Sequence, residues 1–190
     1  MRGTLILLNK WDNRFLDLAQ QISTWSKDPS RKIGCVAVGT NREILAQGYN
    51  GFPRGIADLE YRYENRELKY KYVVHAEMNC IYNAGYNGVS LKGSTLYIYG
   101  LPVCYECAKA IIQVGIKRVV SSSTNTPERW IESTETTKAM FEEAEIIYED
   151  SIAEKKNLEG SLEKLNKKYK QTLKKLNEKT NIYKRRTNKK

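Results

Sequence analysis

Apolar residues recur at helical spacing near the start of the chain. Five of them are separated by four, three, four and three positions: Trp11, Phe15, Leu18, Ile22 and Trp25. This spacing is that of one face of an amphipathic helix. We therefore predict a helix over residues 11–25, ended by the Asp28-Pro29 pair.

Shorter apolar runs predict strands. Residues 32–40 and 43–49 form two such runs, joined by Asn41-Arg42 in the manner of a hairpin. Three further strands are predicted at residues 94–99, 118–121 and 144–148. Helices are predicted at residues 74–84, 104–114 and 135–143, and Gly115 ends the second of them at its C′ position. Strands that alternate with helices indicate an α/β sandwich.

A long connection, residues 50–73, separates the second strand from the next helix. It is richer in tyrosine and charge than in aliphatic residues. Long loops inside compact domains are usually functional. Gly48, Gly51 and Gly55 permit close approach of the backbone to a ligand, or they only form turns.

The end of the chain has a different composition. Residues 1–150 hold 18 basic and 18 acidic residues, whereas residues 151–190 hold 14 and 4, so the net charge of +10 belongs to the tail. Its apolar residues lie at helical spacing: Leu158, Leu162, Leu165, Tyr169, Leu173 and Leu176. We predict one domain over residues 1–150 and a basic amphipathic helical tail over residues 151–190, disordered after Thr180.

Composition excludes several classes of protein. The longest apolar run, residues 5–8, is far too short to span a membrane, and no cleavage site of a signal peptide follows it. Four cysteines, two of them in a C-x-x-C, favour metal binding under reducing conditions over disulfides, and hence a cytoplasmic protein. Cys35 and Cys80 lie among apolar residues and are predicted to be buried.

One set of residues suggests catalytic chemistry. His75, the single histidine, is followed by Glu77 and then by Cys104 and Cys107, whose spacing places both sulfurs on one helix face. One His and two Cys can hold Zn²⁺ with an open position for water, whose pKa the metal lowers to about 7. Glu77 can then carry the proton. Glu106 points away from that face.

The alternative is a closed zinc site that only supports the fold. Such a site requires a fourth protein ligand. No second histidine exists, so Cys35 or Cys80 would have to supply it.

The pattern H-x-E followed by P-C-x-x-C is typical of zinc-dependent nucleobase deaminases. Over residues 15–149 the sequence resembles the zinc-dependent cytidine and deoxycytidylate deaminase family, and within it the deoxycytidylate (dCMP) deaminases. The resemblance is carried by the stretches Ser26-Lys27-Asp28-Pro29, Ile33-Gly34-Cys35-Val36, Gly48-Tyr49-Asn50-Gly51-Phe52-Pro53-Arg54-Gly55, His75-Ala76-Glu77-Met78-Asn79 and Glu106-Cys107-Ala108-Lys109-Ala110-Ile111-Ile112. One departure is Val103, which separates Pro102 from Cys104.

The resemblance implies a three-layer α/β/α sandwich with a five-stranded mixed sheet. It implies hydrolysis of dCMP to dUMP and ammonia, with zinc held by His75, Cys104 and Cys107 and with Glu77 as the catalytic acid and base. This is a step of pyrimidine deoxynucleotide (dTMP precursor) metabolism.

Substrate contacts are expected from four residues: Arg31, Asn50, Ala76 and Tyr105. Asn50 can read the base or a sugar hydroxyl, Tyr105 can pack over the base, and Arg31 can hold the phosphate. Lys27 and Lys32 lie near Arg31, and each of these three charges is equally consistent with a solvated loop.

The resemblance also implies a homo-hexamer that dCTP activates and dTTP inhibits. Such regulation requires a second nucleotide site. Within residues 48–72, Gly51 allows close approach and Arg54 can bind phosphate oxygens, with Mg²⁺ neutralising part of a triphosphate. Alternatively, this connection only covers the active site.

Two other functions are consistent with parts of the sequence. A polynucleotide (DNA or RNA) cytidine or adenosine deaminase would use the basic tail to hold nucleic acid, but the zinc-bearing part is neutral overall. A non-catalytic assembly protein would use the tail helix to bind acidic partners or copies of itself. The intact Glu77 argues against that reading.

Overall fold

The computed structural model describes residues 8–123, 126–150, 160 and 162–174. The chain divides into two compact units, Met1–Ile152 and Ala153–Lys190. The helices of the first unit are α1 (Lys10–Ser23), α2 (Glu60–Glu64), α3 (Arg66–Tyr72), α4 (Ala76–Tyr86), α5 (Tyr105–Gln113) and α6 (Ile131–Glu143), with a 3₁₀ turn at Glu128–Trp130. The strands are β1 (Gly34–Val38), β2 (Ile44–Tyr49), β3 (Thr95–Gly100), β4 (Arg118–Ser123) and β5 (Ile147–Asp150).

The five strands form one mixed sheet in the order β2-β1-β3-β4-β5. Strand β1 pairs antiparallel with both β2 and β3, and Cys35 lies opposite Gly48 on one side and Ile98 on the other. Strands β3, β4 and β5 run parallel. The loops that leave the carboxyl ends of β3 and β4 therefore emerge at one edge of the sheet.

Side chains of β1 alternate between two cores, as the period of two along a strand requires. Val36 and Val38 pack with Phe15 and other apolar residues of α1. Cys35 and Ala37 face the opposite layer, where α4, α5 and α6 contribute residues such as Cys80 and Ile111. The predicted α/β/α sandwich with a five-stranded mixed sheet is confirmed, and Cys35 and Cys80 are buried as predicted.

Gly48 sets the distance between β2 and α4. A Cβ atom at residue 48 would come closer than 3.0 Å to the backbone N of Cys80 and to the carbonyl O of Ala76. Both atoms belong to the helix backbone, which cannot rotate away. Gly48 was expected either to approach a ligand closely or only to form a turn, whereas the structure shows that it approaches a helix.

The connection over residues 50–73 is more ordered than predicted, because it contains α2 and α3. These helices have five and seven residues and bury only Tyr63 and Lys69. Such short helices with few apolar positions show no helical period in the sequence.

The predicted starts of α6 and β5 differ most from the structure, while the other boundaries shift by one or two residues. Helix α6 begins at Ile131, and its buried face includes Ser133 and Thr137, so the apolar pattern is weak there. Strand β5 begins at Ile147 instead of Ala144, since Ala144 caps α6 and Glu145 has a φ of 55°. Gly115, with a φ of 78°, ends α5 as predicted.

In the second unit, residues 160 and 162–174 are helical. The helix exposes an apolar stripe that consists of Leu162, Leu165, Tyr169 and Leu173. Leu158, Leu176 and the predicted disordered end lie outside the described residues. Among the described helices, none combines the length and the hydropathy needed to cross a membrane.

Candidate active site

Three predicted metal ligands meet at the starts of two neighbouring helices. His75 is the N-cap of α4 and Cys104 is the N-cap of α5, and neither side chain caps its own helix. Cys107 lies one turn along α5. Both sulfurs are 3.4 Å from His75 Nδ1, and all three ligand atoms lie within 4.8 Å of one another.

The cluster has the dimensions of a zinc site. With Zn–S bonds of about 2.3 Å and a Zn–N bond of about 2.0 Å, tetrahedral geometry separates sulfur from nitrogen by about 3.5 Å. The observed separations of 3.4 Å match this value. Among the described residues, no fourth side chain joins the cluster, which leaves one coordination position for water.

The three side chains of the cluster shift one another's pKa values. A hydrogen bond from Cys107 lowers the pKa of Cys104 to about 4, whereas the same contact and burial raise the pKa of Cys107. The Cys104 sulfur raises the pKa of His75 to about 9. These shifts favour a thiolate on Cys104 beside His75, and binding of a metal would release the protons of the other ligands.

Glu77 lies in the first turn of α4, one residue beyond Ala76, and is buried. Burial raises the pKa of its carboxyl group, and the positive charge on His75 opposes this shift. Glu106, in contrast, is exposed and forms an ion pair of 2.7 Å with Lys109. The two carboxyl groups therefore differ in the way that the sequence predicted.

Val103, which interrupts the usual Pro-Cys step, is a buried core residue. Its carbonyl oxygen accepts a hydrogen bond of 3.0 Å from the Thr137 hydroxyl of α6. Its N–H donates to the Tyr148 hydroxyl at 3.4 Å. The added valine therefore anchors the turn that presents Cys104 and leaves the His/Cys/Cys cluster intact.

A pocket opens above the cluster and encloses about 680 Å³ of empty space, its open mouth included. His75, Glu77 and Cys104 form its floor. The remaining lining residues are Asp28, Ser30, Arg31, Ile33, Asn50, Lys69, Tyr70, Val73, Ala76, Leu101, Pro102, Arg129 and Trp130.

Three of the four predicted substrate contacts line this pocket: Arg31, Asn50 and Ala76. Tyr105 does not. Its ring is 43% exposed, and Lys109 Nζ lies 5.6 Å from the ring centroid. The position directly after an N-cap cysteine turns this side chain away from the pocket.

Asn50 forms hydrogen bonds to two backbone groups in the wall of the pocket. Its Oδ1 accepts a hydrogen bond from the Ile33 N–H at 2.8 Å, and its Nδ2 donates to the carbonyl oxygen of Arg31 at 2.9 Å. The amide therefore fixes the loop that carries Arg31. Lys69, buried in the same wall, forms an ion pair of 3.1 Å with Asp28.

Sequence reasoning missed Arg129 and Trp130, which lie in the 3₁₀ turn after β4. No motif marks them. A general rule could have found them, because ligands bind at the carboxyl ends of parallel strands, where the loops after β3 and β4 meet.

The predicted effector residues lie elsewhere. Gly51 and Arg54 line a second cleft together with Trp25, Lys27, Tyr49, Phe52, Pro53, Asp58, Tyr63, Val74, Asn79, Tyr82 and Asn83. Arg54 hydrogen-bonds to Asn83 Oδ1. Phe52 stacks on Tyr63 with ring centroids 4.4 Å apart.

Comparison with known proteins agrees with this geometry. Residues 9–123 match the model of the cytidine and deoxycytidylate deaminase zinc-binding region. The chain is 42% identical to the deoxycytidylate deaminase of Mus musculus and 39% identical to that of Homo sapiens, in each comparison over 68% of this chain and 72% of the relative.

A solved structure is also similar. The dCMP deaminase of cyanophage S-TIM5, in complex with dCMP and dUMP, aligns over 76% of this chain and 99% of its own, with 25% identity and a TM-score of 0.60. The region that matches the family model, residues 9–123, contains the His/Cys/Cys cluster and Glu77. The chain therefore belongs to the cytidine and deoxycytidylate deaminase family, and it is a zinc-dependent hydrolase.

Proposed function

We propose that this enzyme hydrolyses dCMP to dUMP and ammonia, in the synthesis of pyrimidine deoxynucleotides. The observation that carries the proposal is the buried carboxyl of Glu77 beside the three-ligand cluster His75, Cys104 and Cys107, in the lining of an open pocket. The likeness to deoxycytidylate deaminases supports the choice of base and sugar.

The residues divide the chemistry between them. Zinc bound by His75, Cys104 and Cys107 would lower the pKa of a water molecule to about 7, so that hydroxide is available at neutral pH. Glu77 takes one proton from that water and delivers it to ring N3. It then takes the proton of the hydroxyl group formed at C4 and delivers it to the amine, which leaves as ammonia while the C4 oxygen becomes the carbonyl of uracil. A buried carboxyl with a raised pKa suits a group that is protonated during part of the cycle.

The base is held at the start of α4. The N–H of Ala76 is in the first turn of this helix, where N–H groups have no partner within the helix, and it can donate to the pyrimidine carbonyl oxygen. Asn50 retains one lone pair on Oδ1 for a sugar hydroxyl. Tyr105 contributes to the base only if its ring moves toward the pocket.

Arg31 supplies positive charge for the phosphate, since it lines the pocket and Asn50 fixes the backbone of its loop. Lys69 contributes less, because Asp28 neutralises it. A guanidinium can form two parallel hydrogen bonds to a phosphate group.

The second cleft is the proposed regulatory site for dCTP, which activates, and dTTP, which inhibits. Arg54 offers charge for the phosphates, Gly51 offers close approach, and Mg²⁺ accompanies the triphosphate. Residues of the connection over residues 50–73 line both the cleft and the active pocket, and through this connection the two sites can be coupled in a homo-hexamer.

The tail helix is the proposed contact to a nucleic acid or another acidic partner, on account of its lysines. A reducing compartment, the cytoplasm, suits an enzyme with thiolate ligands.

The test is a substrate panel. Ammonia release is measured for dCMP, cytidine, cytosine and a deoxycytidine oligonucleotide, with and without added zinc. We expect dCMP to have the highest kcat/KM and the zinc-free enzyme to be inactive. Preference for the oligonucleotide would replace this proposal with a polynucleotide deaminase.

A further inference from the structure

Helix α6 carries two hydroxyl groups at positions that apolar residues usually occupy. Ser133 and Thr137 lie about one turn apart on its buried face, together with Phe141, and Thr137 is completely buried. A buried hydroxyl group without a partner costs free energy, so both of these are expected to be paired. Their hydrogen-bond partners therefore indicate why α6 has hydroxyl groups at these positions.

The other two hydroxyl groups of α6 bond to their own helix. Thr134 and Thr136 each donate to the carbonyl oxygen four residues earlier, at 2.8 and 3.0 Å. This contact is a common one for threonine inside a helix. Ser133 and Thr137 instead bond to backbone groups of the turn that presents Cys104.

Ser133 supplies an acceptor at the start of α5. Cys104 is the N-cap of α5, a position whose side chain usually accepts a hydrogen bond from the first turn. The Cys104 side chain makes no such bond, and its sulfur lies 3.4 Å from His75 Nδ1. The N–H of Tyr105 donates to Ser133 Oγ at 3.2 Å. A residue of another helix thus satisfies one of the free N–H groups of α5, while the Cys104 sulfur faces the metal cluster.

Thr137 holds the peptide group on the other side of the cysteine. Its hydroxyl donates to the carbonyl oxygen of Val103 at 3.0 Å. The Val103 carbonyl belongs to the peptide group before Cys104, and the Tyr105 N–H belongs to the one after it. The two hydrogen bonds to α6 therefore fix both backbone angles of Cys104, at a φ of −83° and a ψ of 158°.

We propose that Ser133 and Thr137 are positioning residues of the zinc site. They hold the two peptide groups that flank Cys104, and so they direct its sulfur toward His75 and Cys107. Loss of a hydrogen bond that orients a metal ligand commonly weakens metal binding by about ten- to a hundredfold. The inference concerns the metal site alone, so it does not depend on which nucleotide the enzyme deaminates.

The experiment measures zinc affinity and stability separately in the full-length protein. Thr137→Val removes a hydroxyl group and keeps the shape of the side chain, Thr137→Ser keeps the hydroxyl group, and Ser133→Ala removes the other one. Thr136→Val, which removes an exposed hydroxyl group from the same helix, is the matched control. The Kd of Zn²⁺ is measured by competition with a chelator, the ligand geometry by visible absorption of the Co²⁺-loaded protein, and stability by thermal unfolding without metal.

Thr137→Val and Ser133→Ala should each raise the Kd of Zn²⁺ by about tenfold or more, because the backbone no longer holds the sulfur in one direction. The absorption bands of bound Co²⁺ should shift in the same two variants. Thr137→Ser and Thr136→Val should bind Zn²⁺ within about twofold of the unmodified protein, since neither loses a hydrogen bond to the turn.

An unchanged Kd of Zn²⁺ in Ser133→Ala or in Thr137→Val, with unfolding at a lower temperature, would show a purely structural role and overturn the proposal. A loss in Thr137→Ser as large as that in Thr137→Val would also overturn it, because packing of the methyl group would then be the cause. If Thr137→Val does not fold, Ser133→Ala decides. Turnover of dCMP is measured alongside: normal zinc binding without any deamination of dCMP would refute the proposed function and leave this inference standing.

Discussion

The carboxylate of Asp12 and the guanidinium of Arg118 form a bidentate pair that joins α1 to the start of β4. Arg118 Nη1 donates to Asp12 Oδ1 at 2.6 Å, and Nη2 donates to Oδ2 at 3.0 Å. The Tyr97 hydroxyl also donates to Oδ1 at 2.8 Å, and Arg118 reaches Glu149 at 2.8 Å. This buried network fixes the first helix to three strands.

Asp12→Asn should reduce the free energy of unfolding by about 2 kcal/mol at pH 7. Burial opposes ionisation of Asp12, but hydrogen bonds from Arg118, Asn9 and Tyr97 outweigh it and lower the pKa of this carboxyl. A lowered pKa gives stability that is present above the unfolded pKa, about 3.9, and is lost as the pH falls through the folded pKa.

Denaturant unfolding at several pH values measures this effect. The difference between wild type and Asp12→Asn should be constant above pH 5 and shrink below about pH 4. Asp17→Asn, on the exposed face of the same helix, is the control. A difference that grows as the pH falls would contradict the assignment.

The Glu77→Gln variant should retain zinc but lose deaminase activity. The amide has the size of the carboxyl but does not titrate, so turnover should fall by about a hundredfold or more. Elemental analysis for zinc and ammonia release are measured on the same sample. Glu106→Gln is the matched control. Activity of the Glu77 variant near that of the wild type would refute its role in proton transfer.

His75→Ala, Cys104→Ser and Cys107→Ser should each lose zinc and activity together, because each removes one of three ligands. Cys35→Ala and Cys80→Ala should retain zinc, since neither residue belongs to the cluster. If either of these two variants loses its zinc while it remains folded, the open, three-ligand site is wrong.

Regulation should appear in dCMP saturation curves. We expect a sigmoidal curve that dCTP–Mg²⁺ makes hyperbolic, because effector and substrate favour the same state of the assembly, and dTTP–Mg²⁺ should have the opposite effect. Arg54→Ala should weaken the response to dCTP, whereas Arg14→Ala should not. Hyperbolic curves that neither nucleotide changes would leave an unregulated deaminase.

Removal of the residues after Asp150 should leave dCMP turnover intact at saturating substrate. The described residues that line the active pocket all belong to the first unit. Turnover, zinc content and thermal unfolding of the shortened protein are compared with those of the full chain. A shortened protein that fails to fold or to bind zinc would show that the tail is not separable.

The metal cluster was accessible to sequence reasoning because its chemistry is encoded at short range. His75 and Glu77 are two positions apart, Cys104 and Cys107 are three apart, and each pair begins a helix whose apolar period is visible. The α/β architecture follows from the same periods, whereas the five-stranded mixed sheet was expected only from the resemblance to the deaminase family. Local patterns were sufficient wherever one element decides where a side chain lies.

Other features depend on contacts between distant elements. Trp130 reaches the pocket only because β4 lies parallel to β3, and no residue near it in the sequence indicates this. Tyr105 lies outside the pocket lining, because its direction depends on how α5 enters its first turn. The pairing of Asp12 with Arg118 crosses 106 positions, beyond any local pattern.

Residue 48 of this sheet can only be glycine without a shift of the neighbouring helix. Since β2 and α4 touch backbone to backbone there, even one methyl group would push the helix outward. His75 and Glu77 lie at the start of that helix. An outward shift of the helix would therefore move both side chains and change the depth of the pocket. The absence of a side chain at residue 48 thus fixes the position of the catalytic residues relative to the sheet. An alanine at this position would therefore reduce turnover before it reduced stability.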